Sequence, residues 1–101
     1  MPKWSEISTD FKVLSRLYEF IYVRKEQVWF TKLVESFGGE LSRVDVSKAQ
    51  DKMDDLCIMD GKWQKTPDGR WTRCLFIEDE VVDFAKTIFE STTEKPELKV
   101  N

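Results

Sequence analysis

The chain has 101 residues, enough for one compact domain with little room for a second. Hydrophobic residues make up 41%, aromatics 13% and charged residues 35%, a mixture that builds a core and excludes a wholly disordered chain. There is no histidine, there are two cysteines, and the formal charge is −3; this excludes His-based triads, His-metal sites, imidazole switches, thiolate zinc sites and a disulfide scaffold, and it weakens the case for a general polyanion binder.

Residues 1–9 form a lead-in, with Thr9 or Asp10 expected to cap the first helix through a side-chain oxygen. From Phe11 the apolar positions Leu14, Leu17, Tyr18 and Ile21 recur at helical spacing, widened by Val13 and Phe20. That helix should fade near Arg24 and Lys25. A second helix is predicted from about Gln27 to Phe37 on Val28, Phe30, Leu33, Val34 and Phe37, stopped by Gly38-Gly39. A connector, Glu40 to Asp45, leads to a third helix starting at Asp45 or Ser47 and running to about Leu56. Ser47 and Gln50 have capping-box spacing, while Val46, Ala49, Met53 and Leu56 line one face.

The period then changes. Lys62 to Thr66 and Arg70 to Ile77 read as strands joined by the turn Pro67-Asp68-Gly69. Pairing Thr66 with Arg70 sets Lys65 opposite Trp71 and Trp63 opposite Arg73, so these four share one side of the hairpin. A last helix is predicted from Asp79 to Phe89 or Glu90, with Val81, Val82, Ala85, Ile88 and Phe89 as its apolar stripe. Residues 91–101 are polar, carry Pro96, and are expected to be a frayed or disordered tail. The first twenty residues carry Lys3, Glu6, Asp10, Lys12, Arg16 and Glu19 and contain no apolar signal core. No apolar run approaches the roughly 20 residues that span a bilayer. The expectation is a cytoplasmic protein with no membrane association.

Helix, helix, Gly-containing turn, helix, β-hairpin, helix resembles the winged-helix (winged helix-turn-helix) DNA-binding superfamily, especially small microbial transcription regulators. The resemblance covers about Phe11 to Phe89, and its most specific stretch is SRVDVSKAQDKMDDLCIMDGKWQKTPDGRW. Met53, Leu56, Cys57, Ile58 and Met59 stand at the apolar exit of the third helix, with Cys57 where such regulators usually carry glycine. The fold class is thus expected to be α+β and mainly α, with the winged domain over residues 10–90. The resemblance implies double-stranded DNA as partner, the third helix in the major groove and the hairpin wing on the phosphates.

The distribution of charge bears on that expectation. Residues 62–73 carry Lys62, Lys65, Arg70 and Arg73 against Asp68, a local +3, whereas residues 78–101 carry −4. On the third helix Arg43, Ser47, Lys48, Gln50 and Lys52 are the candidate DNA-facing residues, but Asp51, Asp54 and Asp55 accompany them, and carboxylates beside phosphates cost affinity. The runner-up is a winged-helix module for protein–protein contact. Trp63 and Trp71 read as a cross-strand pair or as packing on the third helix, ahead of a stacking platform for single strands. Trp29 and Trp4 read as core or interface residues, and a homodimer through the terminal helices is expected. Cys57 and Cys74 are expected to be ordinary apolar cysteines rather than a redox pair. Asp51, Asp54, Asp55 and Asp60 spread around a helix and its exit, which suits solvent rather than a metal. No catalytic or cofactor motif is present, and Gly38-Gly39 lacks the residues of a phosphate loop.

Overall fold

The computed structural model describes residues 8–92; Trp4 and the tail beyond Thr92 lie outside them. The chain folds as α1 (Thr9–Tyr18), a π-helical continuation Glu19–Val23, α2 (Phe30–Ser36), α3 (Arg43–Asp55), β1 (Met59–Lys65), β2 (Trp71–Ile77), a 3-10 turn Asp79–Val81 and α4 (Val82–Thr92). The architecture is α+β and mainly helical, as the periodicity predicted.

The first helix starts one residue earlier than expected. Its cap is Ser8, whose hydroxyl accepts from the Phe11 N–H, rather than Thr9 or Asp10. Val13, Leu14, Leu17 and Phe20 are buried, while Phe11 sits at the edge of the core against Phe84.

The second helix is shorter than predicted. Lys25 adopts a left-handed φ of 58°, and Val28 and Trp29 then run extended along β2. The Val28 carbonyl accepts from the Leu75 N–H at 2.7 Å, and Trp29 bridges Cys74. A β-branched and an aromatic residue suit a strand, and pairing them covers the free edge of β2. Helical spacing alone could not separate this from a first helical turn.

The third helix begins at Arg43, not at Asp45 or Ser47. Ser42 and Asp45 form a reciprocal capping box, each side chain bonding the other's backbone N–H. Its exit is a Schellman motif: the Cys57 N–H bonds the Asp54 carbonyl at 3.1 Å and the Ile58 N–H bonds the Met53 carbonyl at 2.8 Å. Cys57 holds φ 58°, so the glycine's conformation is kept without the glycine.

The hairpin follows the predicted register, with Lys65 opposite Trp71, Trp63 opposite Arg73 and Gly61 opposite Leu75. β1 starts at Met59, three residues before the expected strand, because Met59 and Ile77 pair in the core. α4 lies across α1 and runs to Thr92, two residues past its expected end, where the buried Thr92 hydroxyl reaches Ser15. The core is thus α1, α2 and α3, closed below by the base of the hairpin and on one side by Ala85 of α4.

Candidate nucleic-acid interface

The wing is built from its tip inward. Thr66 and Arg70 close the turn through Thr66 N–H to the Arg70 carbonyl at 2.8 Å, and Gly69 supplies φ 89°. The Thr66 hydroxyl is hydrogen-bonded to the Asp68 carboxylate, whose other oxygen accepts from Arg70 Nε at 3.0 Å. These partners, the Thr66 hydroxyl first, hold the Asp68 carboxyl below its usual range. Just inside the turn Gln27 Nε2 donates to Gln64 Oε1 at 3.0 Å and to the Lys65 carbonyl at 3.2 Å. The tip network and the Gln27 tether were not anticipated from the sequence, since neither has a local spacing signature.

The structure divides the wing cations. Lys65 and Arg73 share the face that carries Trp63 and Trp71. Lys62 is on the opposite face with its Nζ 5.5 Å above the Phe76 ring. Arg70 is at the tip, exposed and paired to Asp68. The Arg73 guanidinium lies over Gly61, where any Cβ would run into it. A glycine inside a strand marks such a close approach, and Gly61 was the available signal. Trp63 and Trp71 are 68% and 66% exposed, so neither packs on α3. Among the described residues neither indole stacks on another ring.

The candidate residues of α3 do not form one surface. Arg43 lies over the Phe30 ring at 4.9 Å, and Ser47 is half-buried beside it on the helix flank. Gln50 has its Oε1 buried without a hydrogen-bond partner, so it is not presented outward for base reading. Lys52 pairs with Asp10 of α1 at 3.0 Å, and Lys48 lines a shallow groove with Asp10, Asp45 and Lys52. The face opposite buried Val46, Ala49 and Met53 presents Val44, Lys48, Asp51 and Asp55.

No family model and no curated protein matches the sequence. Solved structures do. The circadian clock associated protein Pex from Anabaena superposes with a TM-score of 0.65 at 19% identity, covering 84% of this chain and 76% of Pex. A PadR-like transcriptional regulator from Bacillus cereus strain ATCC 14579 superposes with a TM-score of 0.59 at 15% identity, covering 81% of this chain and 78% of that one. The fold is a winged helix-turn-helix.

Within this winged helix-turn-helix, positive charge is gathered on the wing and α3 is mixed, with three cations against four carboxylates over Arg43–Asp55. Cys74 is buried in β2, and desolvation pushes its thiol up, only partly offset by Lys32. A buried, protonated thiol is a poor redox nucleophile. No helix among the described residues is long and apolar enough to cross a membrane.

Proposed function

We propose that this protein is a DNA-binding transcription regulator that works in the cytoplasm and holds duplex DNA chiefly through its wing. The observation that carries the reading is the concentration of Lys62, Lys65, Arg70 and Arg73 on the hairpin of a chain whose net charge is −3. Phosphate contacts come from these four, with Arg43, Ser47 and Lys48 at the start of α3 as the groove-facing residues. Lys52 and Gln50 contribute little, the one neutralised by Asp10 and the other turned inward.

A homodimer through the terminal helices completes the reading. Phe11, Leu56 and Phe84 are exposed around a groove of about 220 Å³ between α1, α3 and α4, an apolar surface suited to a second copy. Sedimentation at micromolar concentration tests it: a monomer there removes the dimer from the proposal.

The deciding experiment is fluorescence anisotropy of a labelled mixed-sequence duplex titrated with protein over a salt series. Binding should weaken steeply as salt rises, and Arg70→Ala with Arg73→Ala should flatten the salt slope by roughly 2. Absence of binding at low salt by folded protein overturns the reading. A protein–protein module is the second reading, favoured by the α3 face of Val44, Asp51 and Asp55, with Val44 59% exposed. It requires that the wing variants leave any duplex association unchanged.

A further inference from the structure

The two wing tryptophans are the feature that duplex contact through cations does not explain. A two-thirds exposed indole is an unfavourable thing to leave in water, and here there are two on one face of a two-stranded ribbon. Both stand on adjacent cross-strand pairs, Trp63 with Arg73 and Lys65 with Trp71. The two residues are therefore diagonal neighbours, roughly 7 Å apart at the backbone, each with a cation-bearing residue directly opposite. The hairpin is held near its tip by the Thr66-Asp68-Arg70 network and, one pair inward, by the Gln27 tether to Gln64 and Lys65, and at its base by the Met59–Ile77 pair in the core. The rings thus sit on a held surface.

Aromatic faces in series beside a line of positive charge are the chemistry that binds single-stranded nucleic acid: bases stack on the rings and phosphates meet the cations. A duplex conceals its base faces in the stack and offers nothing for an indole plane. We propose that this wing face is a stacking platform for single-stranded DNA, with Trp63 and Trp71 receiving bases and Lys65 and Arg73 holding the phosphates between them. This rests on the DNA-binding reading and extends it to unpaired bases, which a duplex opened for transcription presents.

The test is a titration of the full chain with a short oligothymidylate, read by quenching of tryptophan fluorescence and by anisotropy of labelled oligonucleotide, beside the mixed-sequence duplex. Both positions are solvent-facing, so Trp63→Ala and Trp71→Ala fold, which a thermal melt verifies. Each is expected to weaken oligothymidylate binding about tenfold while duplex binding persists. Oligothymidylate that does not bind, or that binds both variants like the parent, overturns the platform and leaves the duplex reading standing. Loss of duplex binding in the tryptophan variants with oligothymidylate binding intact also overturns it. A parent oligomer that the two substitutions dissolve assigns the face to a second copy instead. Failure of both probes at low salt removes the DNA reading itself.

Discussion

Ser15 and Thr92 are 77 positions apart in sequence, and their hydroxyls meet at 3.1 Å inside the contact between α1 and α4. Thr92 Oγ1 also donates to the Ile88 carbonyl at 2.8 Å. A hydroxyl has one proton, so Ser15 is the donor of the pair and Thr92 its acceptor. The bond joins the end of the last described helix to the centre of the first.

Removing the donor should therefore loosen α4. Ser15→Ala is expected to cost about 1 kcal/mol, and Thr92→Val somewhat more because it strands the Ser15 hydroxyl. Thr92→Ser should be close to the parent. Urea unfolding measures this as a lower midpoint at unchanged slope. A parent-like midpoint for both Ser15→Ala and Thr92→Val would show that the bond contributes nothing to the docking of α4.

The exit of α3 yields a second expectation. Cys57 stands in a left-handed conformation that costs an L-residue roughly 1–2 kcal/mol and a glycine almost nothing. Cys57→Gly should raise stability, partly offset by the greater chain entropy of glycine when unfolded. Cys57→Val should lower it, since a β-branched residue tolerates positive φ least. The ordering Gly, Cys, Val in thermal midpoint is the readout, and a reversed order contradicts it.

The order of elements and the hairpin register were legible because their signals are local. Helical spacing marks α1, α3 and α4, and Pro67-Asp68-Gly69 fixes the pairing of Thr66 with Arg70. Val28 and Trp29 carry no strand signal of their own, because two residues cannot display a period and their partners Leu75 and Cys74 lie far along the chain. The start of α3 is ambiguous in the sequence because Ser42-to-Asp45 and Ser47-to-Gln50 offer the same kind of spacing, and only the first closes as a box. For the interface, charge along the chain located the wing but not the direction of each side chain. Lys52 turning to Asp10, and the Gln50 oxygen turning inward, depend on what α1 and the core place beside them.

Asp68 gives the wing a dependence on pH. Its carboxyl is held below the usual carboxylate range, chiefly by the Thr66 hydroxyl. A group whose folded pKa is depressed contributes stability above its unfolded value and loses it as pH falls through the folded one. The turn should therefore be at full strength above about pH 4 and loosen only at lower pH. Asp68→Asn should remove that acid step. It also frees Arg70 from its 3.0 Å partner and adds one unit of positive charge, so duplex binding at low salt should tighten and its salt slope steepen by roughly 1. Weaker duplex binding by this variant would show that the shape of the tip matters more than its charge.

Gly61 and Arg73 offer the complementary manipulation. A Cβ at position 61 collides with the Arg73 guanidinium group, the far end of a flexible side chain rather than backbone. Gly61 does not use a positive φ, so alanine fits the strand once the arginine moves. Gly61→Ala should then change stability by no more than about 0.5 kcal/mol while pushing the guanidinium off the sheet into solvent. On the proposed reading that presents Arg73 to phosphates more fully, and duplex affinity at low salt should rise. The gain should vanish in the double variant with Arg73→Ala, which separates the displaced guanidinium from any effect of the methyl group. Equal gains with and without Arg73 would contradict this account of the wing.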